Sequence, residues 1–459
     1  MCSVPVHAIP KPESDTLRLV VDHSAGDFSP NSRIDKDDIA GVRLDGIQSL
    51  GANIRAYRQQ NADEQLVVWK SDVSEAYRLC PMHPLWQIKQ VVCGLDGLKY
   101  VDRCNNFGGR GSQKVYYSLA SLVVWIAVFE RGLQGVKCYV DDHFGVSRLG
   151  DNAWYSPYAK SLPKDQVALL KLFDELGIPH AEKKQVSGSP LWIIGFDVDP
   201  NLMSISMCLE KRAKLAQACE PFLKAGTRLP LKDFWALEGH VNWSLNVFPL
   251  LRPALSAMYA KTAGKTKPQA LLRVNTSIAY EMQWFLSHVE KSTGVHLIEA
   301  IEWTTHDRID TLEAYTDASG VGIGIWFPGE HVAYQWEIPV QLRSNQIFFF
   351  EALAVCCAAH LSRFHGSAKR LLCHTDNSNS FDIFHSLRAK PSHNCILMST
   401  VDVRIKRDLD MRVTWIPGED NLVADAISRL DDDRVHRLAP NVEIIKFQPP
   451  RDALGADKK

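Results

Sequence analysis

Short apolar runs closed by an aspartate are the feature that most limits how this chain can fold. LRLVVD, LVVWKSD, KCYVDD and LWIIGFDVD occur within the first two hundred residues, and EAYTD and LLCHTD recur after residue 310. Such runs read as strands that end at a carboxylate. The first group alternates with helical stretches such as KVYYSLASLVVWIAVFERG and DQVALLKLFDELG. From about 207 to 290 the strand signals vanish and amphipathic helical patterns take over. The second strand group then comes with FFFEALAVCCAAHL and NLVADAISRL, both helical in pattern. The chain is therefore expected to be a multidomain α+β, α/β protein, with divisions at 1–204, 205–305 and 306–435. Residues 436–459, charged and interrupted by QPPRD, read as a disordered tail.

Bulk properties narrow the class. At 459 residues the chain holds about two to four domains. An apolar fraction of 46% with 23% charged residues is that of a globular protein. The start, MCSVPVHAIPKPESD, lacks a basic-then-apolar leader, and no run of about 18 apolar residues stands out. An intracellular protein, in cytoplasm or nucleus and neither secreted nor in a membrane, is expected. The 11 cysteines are scattered without a C-x-x-C pair, which favours buried thiols over disulfides or a zinc ribbon. Cys356, Cys357 and His360 read better as a small-residue core helix than as a metal cluster. A net charge of −1 argues against a protein that coats nucleic acid indiscriminately, but it permits a groove lined by basic residues.

The carboxylates carry the chemistry. GVKCYVDDHFGVS reads as strand, turn, strand, with Asp141 and Asp142 at the turn; aspartate also favours turns for purely local reasons. Asp72 closes the strand LVVWKSD, and with Glu75 three residues on it is also placed for a helix capping box. Carboxylates at the ends of adjacent strands can instead hold two divalent cations, a device suited to phosphoryl or nucleotidyl transfer. In the later segment Asp317 and Asp376 end strands, Glu351 falls early on a helix and Asp425 lies at a helix start. Each of these positions also has a local structural explanation. The glycines of SGVGIGIW lack the Lys-Ser/Thr of a phosphate loop.

Taken in order, LRLVVDHSAG, SDVSEAYRLCPMHP, NNFGGRGSQKVYYSL, YVDD, HAEKKQ and IIGFDVD resemble the successive motifs of retroelement reverse transcriptases. TDASG, Glu351, TDN and NLVAD resemble the acidic tetrad of the ribonuclease H family. The resemblance implies a right-hand polymerase with fingers and palm, a helical thumb and connection, and then an RNase H-like domain with a mixed five-stranded sheet. It implies that Asp72 and Asp141, with Asp142 beside them, bind metal and catalyse, and that Asp317, Glu351, Asp376 and Asp425 do the same in the second domain. Two magnesium ions per centre are implied, with manganese as substitute.

Lys11 and Arg18, with Asp22, match the segment that grips the triphosphate, and Tyr77 matches the aromatic that excludes a 2′-hydroxyl. Phe107, Gly108 and Arg110 match the template-side loop, although Gln113 stands where many relatives have proline. Lys183, or as second choice Lys184, matches the lysine beside the leaving group, and Trp192 to Phe196 the primer-grip hairpin. Trp415 stands where many ribonuclease H members have histidine. Implied partners are RNA template, RNA–DNA hybrid, DNA primer–template, deoxynucleoside triphosphates and other proteins of the same element. The wording of VHAIPKPESDTLRLVVDHSAGDFSPNS most resembles the DIRS-like, tyrosine-recombinase class. An inactive nucleic-acid-binding remnant, or an active RNase H on a dead polymerase, remain open as alternatives.

Overall fold

The structure, a computed structural model, describes residues 3–10, 17–94, 96–292, 294–296, 311–366 and 368–455. It divides into two compact units, 1–207 with 294–300 and 208–293 with 301–459. The division expected at 305 lies outside the described residues.

The first unit centres on a four-stranded antiparallel sheet in the order His180–Gly188, Leu66–Val73, Asp142–Arg148, Lys137–Tyr139. Leu66 to Trp69 are all buried, as a central strand covered on both faces requires. Trp69 lies opposite Gly145, where an added Cβ would come within 2.5 Å of the indole. The glycine in HFGVS is therefore room for a tryptophan. Its Nε1 donates to Ser147 Oγ at 3.1 Å, and Ser147 Oγ donates to Asp165 at 3.0 Å, so the polar edge of the indole is satisfied inside the core. The helices Ser112–Trp125 and Lys164–Leu176 bury Tyr116, Ala120, Leu169 and Phe173 in the same cluster. Leu191–Ile193 and Phe196–Asp199 form a tight hairpin turning through Ile194 and Gly195, both at positive φ, as the twist of two-residue hairpins favours.

In the second unit the helices Leu209–Cys219, Leu231–Ser244, Ser256–Thr262 and Thr276–Val289 follow the expected pattern. A short antiparallel pair, Arg228–Pro230 with Leu271–Arg273, interrupts them. These helices share a unit with the later α/β segment, and buried polar groups join the two. Glu281, 2% exposed, accepts from Ala257 N at 2.8 Å and from Asn394 Nδ2 at 2.7 Å; Trp284 Nε1 donates to Asp402 at 2.7 Å.

The α/β segment is built on a mixed sheet in the order Asp410–Trp415, Arg370–Thr375, Thr311–Ala318, Gly322–Phe327, Val332–Glu337, Glu443–Lys446. It has six strands rather than the expected five. The sixth comes from the stretch expected to be a disordered tail: Glu443–Lys446 pairs in parallel with Val332–Gln335, and Ala453 is fully buried. Two apolar residues, Ile444 and Ile445, together with the hydrogen bond from Cys395 Sγ to Ala453 O, outweigh the charged composition that suggests fraying.

The helix Ile347–Leu361 is buried on nearly all sides, including Cys356 and Cys357, and His360 Nε2 lies 2.9 Å from Ser399 Oγ. That agrees with the core-helix reading. By length and composition alone, Ser112–Glu130 and Ile347–Phe364 are long and apolar enough to cross a membrane, although neither is an unbroken apolar run; the second is mostly buried core.

The glycines of SGVGIGIW have a packing cause. An added Cβ at Gly322 would meet Ser428 O at 2.6 Å, and one at Gly324 would meet Ala424 O at 2.5 Å, so both let the helix Leu422–Ser428 lie directly on the sheet. Gly324→Ala should therefore cost about 1–3 kcal/mol, the usual penalty for overpacking. Gly320→Ala, whose Cβ would meet nothing within 4 Å, should be close to neutral. Thermal unfolding of the two variants beside the parent checks this; equal midpoints would refute it.

Candidate active sites

In the first unit the strand register sets Asp72 directly opposite Asp142. Val73 N donates to Asp141 O at 3.2 Å, which ties the turn to the Asp72 strand. The turn itself is strained: Val140, a β-branched residue, takes φ 57°. No capping box forms at Asp72. Glu75 is left-handed at φ 53°, and only the 3-10 turn Ala76–Leu79 follows where a helix is expected.

Two lysines reach these acids. Lys184 Nζ donates to Asp72 Oδ1, and Lys70 Nζ lies 3.4 Å from Asp142 Oδ1 while standing 5.7 Å over the Trp192 ring. Lys183, the first choice here, is instead exposed; the strand breaks register between His180 and Gln185, and Lys184, like Gln185 after it, is the one turned inward. Lys70 escapes the sequence reading, although its position two residues before Asp72 on one strand puts both side chains on the same face.

Burial and the neighbouring Asp72 charge raise the pKa of Asp141. Burial, opposed by Lys70 and reinforced by Asp141 and Asp72, pushes Asp142 to about 6. Tyr77 is half-buried, its ring 4.8 Å from Phe107 and 5.7 Å from Tyr116, and burial together with the Asp141 charge raises its hydroxyl.

The structure thus brings Asp72, Asp141, Asp142, Tyr77 and Phe107 together. Other expected residues fall elsewhere. Gly108, at φ 108°, is demanded by the backbone, since a Cβ would come 2.1 Å from Val21 O. Arg110 donates to Ile34 O at 3.2 Å, and its backbone N donates to Asn31 Oδ1 at 2.6 Å, so it braces its own loop. Lys11 lies outside the described residues, as does the Arg18 side chain.

The second unit holds a tighter set. Carboxylate oxygens of Asp317, Glu351 and Asp376 lie within 4.8 Å of one another, the one group of at least three such side chains among the described residues close enough to hold a metal ion. Burial, then the charges of Asp376 and Asp425, raise Asp317 to about 7 against the hydrogen bond donated by Ser428 Oγ. Burial, then Asp317 and Asp376, raise Glu351 to about 9, and Glu351 Oε2 is buried without a hydrogen-bond partner. Hard carboxylate oxygens, crowded, desolvated and one of them orphaned, fit a divalent cation.

Asp425, expected as a fourth member, does not join them. Arg429 Nε donates to its Oδ1 at 2.7 Å and Arg434 Nη1 to its Oδ2 at 2.6 Å. Burial opposes its ionisation, but the two arginines outweigh it and hold the carboxyl below its usual range. Trp415 Nε1 donates to the Asp376 carbonyl at 3.0 Å and leaves the indole half-exposed at the rim of the cluster.

No family model and no curated protein matches this sequence. Among solved structures it is similar, at a TM-score of 0.46 and 14% identity, to the foamy viral protease-reverse transcriptase dRH in complex with double-stranded DNA, over 90% of this chain and 65% of that one. The same TM-score, at 13% identity and 90% of this chain, relates it to the foamy viral protease-reverse transcriptase with RNA/DNA hybrid, over 50% of that chain, and with double-stranded DNA, over 77%. The chain therefore spans only half to about two thirds of the first two.

The raised acids make stability depend on pH. A carboxyl whose folded pKa lies above its unfolded value stabilises fully below the unfolded value and loses that contribution as pH climbs through the folded one. For Asp317 the window runs from 3.8 to about 7, and for Glu351 from 4.5 to about 9. In a chelator, the thermal midpoint should fall as pH rises across this range, and Asp317→Asn with Glu351→Gln should flatten the fall. Unfolding curves across that pH window measure it; identical slopes in parent and variant would contradict it.

Proposed function

We propose that this chain is a retrotransposon-type RNA-directed DNA polymerase with a fused ribonuclease H, acting on RNA templates, DNA primer–templates and RNA–DNA hybrids with deoxynucleoside triphosphates. The observation that carries the reading is that each unit gathers its own carboxylates, at strand ends in the first and at two strand ends and a helix in the second. In this reading 1–204 are fingers and palm, the helices to 305 are thumb and connection, and the mixed sheet beyond is the RNase H body. The element is of the DIRS-like class, its other proteins are partners, and the protein works inside the cell.

Magnesium, or manganese in its place, would supply positive charge at the attacking and leaving oxygens of phosphodiester chemistry. Asp72 and Asp141 would hold it in the first unit, and Asp317, Glu351 and Asp376 in the second. Lys184 and Lys70 balance the remaining negative charge. Tyr77, wedged against Phe107 beside Asp141, presents a ring that excludes a 2′-hydroxyl. Ser428 orients Asp317, and the indole nitrogen of Trp415 fixes the backbone of Asp376.

A second reading, ribonuclease activity on an inactive polymerase, is favoured by one contrast: the acids of the second unit converge, whereas Asp72 and Asp142 are engaged by lysines.

Primer extension on a homopolymer template, run beside cleavage of a labelled hybrid, distinguishes the two. Asp141→Asn should abolish synthesis and spare cleavage, and Asp376→Asn should do the reverse; loss of both activities from either change in a folded protein would refute two independent centres. Tyr77→Val should raise ribonucleotide use, lowering the ratio of kcat/KM for deoxynucleotide over ribonucleotide while deoxynucleotide incorporation persists. An unchanged ratio in an active variant would mean that Tyr77 is packing alone.

A further inference from the structure

Asp425 stands beside the three converging carboxylates with neither oxygen available to a cation. Arg429 takes one and Arg434 the other. Both arginines are solvent-accessible, their side chains 60% and 31% exposed, and Asp425 is the one acidic side chain in ion-pair contact with either among the described residues. Each guanidinium has five N–H donors in a planar fork that suits a phosphate as well as a carboxylate. They flank a cluster of acids that by itself would repel a nucleic-acid backbone. The short helix Leu422–Ser428 carries Asp425 and, three residues on, Ser428, whose hydroxyl touches Asp317, and Asp425 is near enough for its charge to act on Asp317.

We infer that Arg429 and Arg434 form a phosphodiester-binding site that doubles as a latch: a backbone phosphate takes the two guanidiniums, and Asp425, released, completes the carboxylate set around the cation. This rests on the reading of the second unit as a metal-dependent nuclease. Substrate binding and completion of the metal site are then one event, and a chain without nucleic acid holds its fourth ligand in reserve. No covalent step is involved; two arginine–carboxylate pairs give way to two arginine–phosphate pairs and a carboxylate–cation contact.

The latch predicts changes of opposite sign. In the full chain carrying Arg429→Gln and Arg434→Gln, binding of an RNA–DNA hybrid in chelator should weaken, and the slope of log affinity against log salt should drop by about two, one for each cation removed from the phosphate backbone. Manganese binding without nucleic acid, followed by calorimetry, should tighten several-fold in the same variant, and adding Asp425→Asn should remove the gain. Arg429→Lys with Arg434→Lys, which keeps the charge, should restore most of the salt slope and guards against simple misfolding. An unchanged salt slope, or manganese affinity that does not rise, would overturn the latch. A parent chain that takes up no manganese sensitive to Asp376→Asn would overturn the nuclease reading and the latch together, whereas parent-like metal uptake with unmoved variants would remove the latch alone.

Discussion

Carboxylates crowded at strand ends and out of water repel one another, and much of the structure around them answers that repulsion. Each answer is different in kind. Asp72 and Asp142 have lysines, and Asp425 has two arginines. Asp317 and Glu351 have little but a serine hydroxyl and a backbone amide, so their balance is restored by proton or cation. The cost of burying an unpaired charge explains why these acids shift so far, and why a hard cation is the natural partner of the set that lacks a basic residue.

The scaffold holds the acids in place at some expense of its own. Val140 sits in a conformation that β-branched residues avoid, and Gly322 and Gly324 give up side chains so that a helix can lie on the sheet. Strain and missing volume of this kind persist where the surrounding structure over-determines them. The Asp141 turn has that surrounding: its carbonyl is tied to Val73, and the strand behind it is packed through the Trp69 and Gly145 pair.

Much of this is legible in the sequence because strand ends and acids are local signals. The strand, turn, strand around Asp141, the helix bearing Glu351 and the strands closed by Asp317 and Asp376 all follow from short-range pattern, whereas the hairpin through Gly195 is expected only from the resemblance. What is not legible depends on pairing across distance. The choice of Lys184 over Lys183 depends on a break in strand register between His180 and Gln185 that the local pattern does not announce. Asp425 reads as a ligand because its position on a helix start says nothing about arginines on the turn and helix that follow. The tail reads as disordered because its charge masks two isoleucines that find an open sheet edge. Gly108 keeps its expected residue type for a different cause, the carbonyl of Val21, which no spacing rule contains.

The buried hydrogen bonds of Glu281 with Asn394 and the Ala257 amide bear on how such a protein can be inherited. A carboxylate this enclosed is tolerable only while its donors, from two stretches more than a hundred residues apart in sequence, are both present. The helical stretch and the mixed sheet are therefore not interchangeable parts: joining the two from different but related chains would bring together a glutamate and a helix that had not been selected as a pair. A hybrid chain that keeps 208–293 with the sheet carries the seam intact, so the smallest part that can be exchanged whole is larger than the one suggested by the change from helical to mixed architecture.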